Sequence, residues 1–460
     1  MPDPRFADMS VPARELTVVS AERLVDWLTG QPAPVQAWLK GSGFEAGLGE
    51  LRLLQGPDGA VLAAVAGFGT VKARARQRFG LAKAVAALPG GAWRLSGDLT
   101  AAERDEAALA WLLAQYRFDR YRAAKPGEAA VLVPEGVDAA RLLAMAQGEF
   151  LTRDLVNTPA SDMGPAELEA AFLALAARFG ARTAVIGGEA LEAGFPMIHA
   201  VGKASVRAPR LLDMRWGGAG PQVTLVGKGV CFDTGGLNIK PSSGMQLMKK
   251  DMGGAATVMG LAHMIMALGL KVRLRVLVPA VENSIAGNAM RPRDILKSRK
   301  GLTVEVNDTD AEGRLVLGDA LAYACEEKPD FLVSMATLTG AARVAVGPDL
   351  APYYCDDDAV VAALEAGAVA GFDPVWRLPF HDAYEPVIEP GIADLDNAPG
   401  YGFAGSITAA LFLRRFVEGP RYLHFDIYAH TPADQPARPK GGVGQGARAV
   451  LGALPAILGL

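Results

Sequence analysis

Apolar positions recur along this chain with two periods, and the period changes mark its elements. Residues 51–54 and 61–68 are two short β-leaning runs split by Gly56-Pro57-Asp58-Gly59, which predicts two strands around a turn. Residues 72–88 follow a helical spacing that Pro89-Gly90-Gly91 stops. A short strand at 93–96, a helix at 101–115 and a strand at 131–133 complete a first group. A long helical pattern over 138–156 then ends at Asn157-Thr158-Pro159.

Beyond it, strand and helix alternate. A helix at 166–179 leads to strands at 183–186, 211–216 and 223–226. The stretch 252–268 is apolar almost all round, which predicts a buried helix. Strands at 272–278, 303–306 and 331–335 follow, with a helix over 315–324 between the last two. Such alternation implies a mostly parallel, helix-covered sheet, whose sites gather at the carboxyl ends of strands. The expected architecture is α/β: a small N-terminal α/β domain, 1–140, followed by a larger catalytic domain, 141–460, with the boundary between residues 135 and 150.

Composition narrows the class. The 460 residues are half hydrophobic and 21% charged, enough for two domains with large cores. The chain contains no charge-free apolar run long enough to span a membrane. A net charge of −4 and a pI near 5.9 give no electrostatic footprint for nucleic acid. Cys231, Cys325 and Cys355 are scattered, which fits a reducing compartment. The opening MPDPRFADMSVPARE lacks the basic and apolar regions of a secretory leader. A cytoplasmic protein is expected.

The polar residues that matter cluster where elements end. Gly227-Lys228-Gly229 and Phe232-Asp233-Thr234-Gly235-Gly236 follow the strand at 223–226, with Lys240 in the loop beyond. Lys250-Asp251-Met252 opens the buried helix. Asp308-Thr309-Asp310-Ala311-Glu312-Gly313-Arg314 follows the strand at 303–306. If that last segment is extended, Asp310 and Glu312 point the same way. Four carboxylates, Asp233, Asp251, Asp310 and Glu312, match the charge of two divalent ions. Oxygen-rich ligands without Cys or spaced His suit Mg²⁺, Mn²⁺ or Zn²⁺. Taken singly, each residue has a plainer reading: Asp251 as a helix N-cap, Lys228 as a solvated turn lysine, Asp310 and Glu312 paired to Arg314, and Lys240 and Arg314 as surface cations. The P-loop, dinucleotide, G-x-S-x-G and H-E-x-x-H patterns are absent or incomplete.

The segment 308–315 closely resembles the Asn-Thr-Asp-Ala-Glu-Gly-Arg-Leu signature of the leucyl (cytosol) aminopeptidases. The blocks around Lys228, Asp233, Ile239-Lys240-Pro241 and Asp251, together with Arg153 to Pro159, Gly405 to Ala410 and His424 to Ile427, are similar to the family's other blocks in the same order. This resemblance implies a metal-dependent aminopeptidase that releases leucine and similar apolar N-terminal residues from peptides. It implies that Lys228, Asp233, Asp251 and Glu312 hold a tighter metal, and Asp233, Asp310 and Glu312 an exchangeable one. Lys240 and Arg314 take the catalytic positions, with bicarbonate at Arg314. Met248, Thr337 and Gly340 line the side-chain pocket. A homohexamer is implied as well.

The chemistry is consistent with those roles. Lys228 must lose its proton to ligate, which two nearby dications favour. Water bridging the ions becomes hydroxide near neutral pH, and a substrate α-amine on one metal confines cleavage to N-terminal residues. Lys240 would stabilise the oxyanion. The chain departs from the signature at Asp308, which stands where the family has Asn and follows Asn307; the added carboxylate is expected to tighten metal binding. Two other classes remain open: a binding protein on the same fold, and a dimetal phosphoester hydrolase.

Overall fold

The period-two runs near the start pair as expected, around a strand that the alternation alone does not single out. In this computed structural model residues 3–123 and 127–460 are described, so the first two positions of the N-terminal stretch lie outside the described residues. The chain divides into two compact units, Met1–Phe150 with Ala433–Lys440, and Leu151–Pro432 with Gly441–Leu460.

The first unit is built on a five-stranded sheet in the order Leu51–Gln55, Val61–Gly69, Ala13–Ser20, Gly91–Gly97, Ala129–Val131. Only the Leu51–Gln55 hairpin partner runs antiparallel. Leu16, Val18, Ala64, Ala66, Trp93 and Trp111 fill its core. The helix Ala101–Ala114 starts with a reciprocal cap between Thr100 and Glu103. The single helix expected over 72–88 is instead two, Val71–Arg76 and Ala82–Ala87. The break lies at Phe79, which is buried with φ +58° and whose N–H donates to Glu106 Oε1 at 2.7 Å. A distant carboxylate thus overrides the local helical pattern.

The second unit holds a nine-stranded sheet. Its path is Val375–Arg377, Ala351–Tyr354, Arg421–Asp426, Phe331–Ala336, Gln222–Gly227, Arg273–Asn283, Arg210–Trp216, Arg182–Gly187, with Gly229–Asp233 added beside the far half of Arg273–Asn283. The four central strands are mutually parallel and antiparallel pairs flank them. The helix Gly253–Ala267 is buried from Gly253 to Met266, which accounts for its all-round apolar sequence. The strand expected at 272–278 runs on through Pro279 to Asn283. Proline is tolerated there because the neighbouring chain changes from one strand to the next at Lys228, between the pairs Leu277↔Val226 and Ala280↔Gly229. The strand Thr303–Glu305 lies outside the main sheet, in a three-stranded one between Ile295–Lys297 and Leu395–Asp396. No described helix is long and apolar enough to cross a membrane.

Candidate functional site

Where the central strands end, the chain delivers its charges. Lys228 is the link between Gln222–Gly227 and Gly229–Asp233, and is buried rather than a solvated turn residue. Its Nζ donates to the Thr337 carbonyl at 2.9 Å and lies 2.7 Å from Asp251 Oδ2 and 3.0 Å from Glu312 Oε1. This approach needs the bare backbone of Gly313, because a Cβ there would fall 2.6 Å from Lys228 Cε. Asp233 ends its strand opposite Asn283, whose Nδ2 donates to Asp233 Oδ1 at 2.9 Å. The other Asp233 oxygen meets Lys240 Nζ at 2.8 Å, and Lys240 also pairs with Asp310. Lys240 is therefore a partly buried site cation.

Asp251 is not a helix N-cap. It follows the short turn Met248–Lys250, while Met252 caps the helix Gly253–Ala267 with no side-chain bond. The Asp251 carboxylate faces the site instead, accepting from Thr337 Oγ1 at 2.8 Å. The segment carrying Asp310 and Glu312 is not extended either. Thr309 and Asp310 form a turn, and Glu312 is the first residue of the helix Glu312–Cys325. The two carboxylates converge through this turn and helix start, not through strand periodicity. One oxygen each of Asp233, Asp310 and Glu312 lie within 4.8 Å of one another. Arg314 pairs with neither acid; it is buried and donates to the Asn397 carbonyl. Met248 shares the turn that delivers Asp251, whose N–H bonds the Met248 carbonyl at 3.1 Å. Gly340 opens the helix Gly340–Val346, with no atom within 4 Å of where its Cβ would be.

Three residues outside the expected set shape the loops. Asn397 is fully buried; its Nδ2 donates to the carbonyls of Asp308 (2.7 Å) and Ala311 (3.2 Å), and its Oδ1 accepts from Asn307 N–H at 2.8 Å. Thr309 Oγ1 donates to the Gly235 carbonyl at 2.6 Å. Asp426 accepts from Thr339 Oγ1, Ser406 Oγ and the N–H groups of Leu338 and Thr339, anchoring the Thr337 loop. The sequence signal for Asn283 and Asn397 is an amide at or just after the end of a strand, each next to an acid, where a buried polar group needs partners.

The electrostatics are those of a cation site. Four carboxylates face two ammonium groups, so with every carboxylate ionised the cluster carries an excess of negative charge. Asp251 Oδ2, Asp310 Oδ1 and Glu312 Oε1 touch only the lysine ammoniums without an aligned hydrogen bond, and Glu312 Oε2 has neither kind of partner among the described residues. Burial, reinforced by Asp233, pushes the Asp310 carboxyl up to about 7 and Glu312 well above the usual range. Burial opposes the charge on Lys228, but Asp251, Glu312 and Asp233 outweigh it and hold the ammonium well above its ordinary value. Burial draws the Arg314 guanidinium down to about 10 and Lys250 down to about 8. Unsatisfied carboxylate oxygens crowded within metal-binding reach fit divalent cations, the oxygen ligands such ions prefer.

Residues 150–451 match the model of the cytosol aminopeptidase family, catalytic domain, and residues 14–134 match that of the M17 aminopeptidase, N-terminal domain. A probable cytosol aminopeptidase of Caulobacter vibrioides is 41% identical over 375 residues, covering 77% of this chain and 75% of that one. One from Rhizobium rhizogenes is 42% identical over 340 residues, covering 70% and 68%. The crystal structure of the Coxiella burnetii cytosol aminopeptidase superposes with a TM-score of 0.92 at 41% identity, over 97% of this chain and 98% of that one. The bottromycin maturation enzyme in complex with Mn superposes at 0.86 with 32% identity, over 96% and 98%. The chain belongs to the cytosol aminopeptidase family of metal-dependent peptidases.

Proposed function

We propose that this aminopeptidase hydrolyses the first peptide bond of its substrates at a two-metal centre formed by Lys228, Asp233, Asp251, Asp310 and Glu312. The observation that carries the reading is the buried cluster of four carboxylates around two lysines, with Glu312 Oε2 unpartnered among the described residues. Lys228, once the incoming dications displace its proton, would hold one ion with Asp233, Asp251 and Glu312, and Asp233, Asp310 and Glu312 would hold the other. Divalent ions bound there supply a water acidified to near-neutral pH and a Lewis acid, with Mn²⁺ or Zn²⁺ the favoured ions and Mg²⁺ the third candidate.

The remaining roles belong to this chain's own groups. Lys240, fixed between Asp233 and Asp310, presents a charged donor to the oxygen of the scissile carbonyl as it gains charge. Its ammonium keeps its proton because those two carboxylates outweigh its burial. Arg314 has a buried Nε without an acceptor among the described residues, a donor suited to holding bicarbonate. Thr337 orients Asp251, and Asn283 orients Asp233. The family resemblance implies leucine and similar apolar residues at the substrate N-terminus, beside Met248, Thr337 and Gly340. It also implies a homohexamer; the first unit, whose sequence holds no cluster of His, Cys or closely spaced acids, takes a structural or assembly role, and the scattered cysteines fit a cytoplasmic protein.

Metal-depleted protein should release no N-terminal amino acid from a peptide series, and Mn²⁺ or Zn²⁺ should restore release. Hydrolysis of a phosphodiester but of no peptide would favour the phosphoesterase reading. Binding of peptides without turnover would favour a binding protein.

A further inference from the structure

Two cations stand beside the site without a carboxylate of their own. Lys250 ends the turn Met248–Lys250, which also carries Met248 and leads into Asp251. It is only 7% exposed, and its Nζ lies 4.9 Å from the centre of the Tyr428 ring. Arg343 comes from a different element, the helix Gly340–Val346, three residues after Gly340 and so on the same face. Its guanidinium lies 5.0 Å from the same ring.

Close packing brings that ring next to the Thr337 loop. Ala429, which follows Tyr428, presses on the start of the buried helix; a Cβ on Gly253 would fall 2.4 Å from Ala429 Cβ and 3.1 Å from Thr337 Cγ2. The turn with Met248, the helix led by Gly340 and the loop of Thr337 thus all border the two cations. Neither Lys250 nor Arg343 has a hydrogen-bonding side-chain partner or an ion pair among the described residues; the Tyr428 ring is their shared contact. The carboxylates that act on Lys250, Asp251 and Asp426, are committed elsewhere. Asp251 serves Lys228 and Thr337, and Asp426 serves Thr339, Ser406 and two backbone N–H groups. A buried ammonium without a counter-charge is costly, and a ring face returns only part of that cost. The open space in front of Gly340 gives an incoming group room to approach.

We propose that Lys250, Arg343 and Tyr428 form a carboxylate-reading subsite, so that this enzyme releases N-terminal glutamate or aspartate in preference to leucine. The inference rests on the aminopeptidase reading, with Met248, Thr337 and Gly340 around the substrate's first side chain. A carboxylate entering there meets an ammonium and a guanidinium fork, whose planar geometry suits it. A leucyl side chain would dehydrate both cations and offer no anion, so the preference has a repulsive half as well as an attractive one.

The test uses Mn²⁺-loaded full-length enzyme with the p-nitroanilides of Glu, Gln, Leu and Lys, which carry no terminal carboxylate to compete with the side chain. Glu should exceed the isosteric Gln by at least tenfold in kcat/KM, mostly through KM. Arg343→Glu changes an exposed residue and should erase that ratio and raise the Lys substrate. Lys250→Met should lower the Glu-to-Gln ratio at least tenfold. Calorimetry should show L-glutamate binding more tightly than L-glutamine. Equal or faster turnover of Gln and Leu, or a ratio unmoved by Arg343→Glu, would overturn the subsite while leaving the aminopeptidase reading intact. Failure of all four anilides and of every peptide would overturn that reading and this inference with it.

Discussion

One strand carries a buried charge cluster at each end, and the two could hardly differ more in how they are satisfied. Near the start of Arg273–Asn283, Arg275 is buried against Asp213, with Nη2 to Oδ2 at 2.7 Å, and its Nη1 lies 3.3 Å from Glu327. Arg215 completes the set, 2.9 Å from the second Glu327 oxygen, which Gln222 also serves. Two guanidinium groups meet two carboxylates, and none of these side-chain atoms is left buried without a partner. Hydrogen bonds from Arg215 hold the Glu327 carboxyl below its ordinary range. At the other end, roughly 26 Å away along the strand, Asn283 holds Asp233 in a cluster with twice as many acids as cations. The helix Glu312–Cys325 joins the same two places, since Glu312 opens it and the Tyr323 carbonyl accepts from Arg275. Buried charge alone therefore does not mark function. Imbalance and unsatisfied oxygens do, because a purely structural cluster would have no reason to keep them.

The largest expected effect comes from removing charge at the unbalanced end. Glu312→Gln keeps the shape but takes away a carboxylate that, on the two-metal proposal, serves both ions and that has one oxygen without a partner among the described residues. Metal content should fall well below that of the wild type, and kcat/KM should drop by on the order of 10³ or more, as for loss of a central electrostatic group. The protein should stay folded, because relief of like-charge crowding among the acids offsets the lost Lys228 contact and Asp251 still pairs with Lys228. Metal analysis and peptide kinetics on the same preparation check this. Wild-type occupancy with normal turnover would erase the contrast between the two ends.

The balanced end predicts the reverse pattern. Arg275→Met leaves Asp213 buried with its main counter-charge gone, which should cost about 3–5 kcal/mol of stability while metal content and kcat per folded enzyme stay unchanged. Replacing Asp213 by Leu as well should recover most of that loss, since the uncompensated charge disappears. Denaturant unfolding of the single and double variants measures both. Loss of bound metal in Arg275→Met would show that the strand transmits a disturbance from one cluster to the other.

The sequence makes the candidate ligands of this site legible much more readily than their geometry. The acids stand beside glycines and apolar runs, and the family signature spans them. What places them, however, arrives from far along the chain. Asn397 ties the Asp308–Ala311 segment from about ninety residues downstream, and Leu395–Asp396 supplies the partner strand for Thr303–Glu305. No local period announces such pairings, which is why the loop is expected as extended and proves to be a turn. The helix Gly253–Ala267 is legible because burial on every side leaves its own trace in composition. The central strand Ala13–Ser20 alternates only briefly, and the break at Phe79 depends on Glu106, 27 residues away. Lys250 is the instructive case: the sequence shows only a lysine beside Asp251, and tertiary packing shows it buried with no ion pair among the described residues.

Asp308 is where the smallest effect is expected, and where the comparison of charge with satisfaction becomes sharpest. An extended loop would aim its carboxylate at the ligands and let its charge tighten metal binding. In the folded chain Asp308 Oδ1 accepts the Asp310 N–H at 2.8 Å, an Asx turn that helps set the direction of Asp310. An asparagine carries the same acceptor oxygen, so Asp308→Asn should preserve the turn and remove only one partly solvated charge. Metal affinity and turnover should then shift by no more than about threefold, within the range of an ordinary surface change. Asp308→Ala also removes the acceptor, which costs about 1 kcal/mol and loosens Asp310, so the affinity for the more weakly held ion should fall about fivefold. Metal titration of the three proteins separates the two roles. A fivefold loss already in Asp308→Asn would mean that the charge acts on the site directly. Identical behaviour of the Asn and Ala variants would mean that the turn holds Asp310 without help from this side chain.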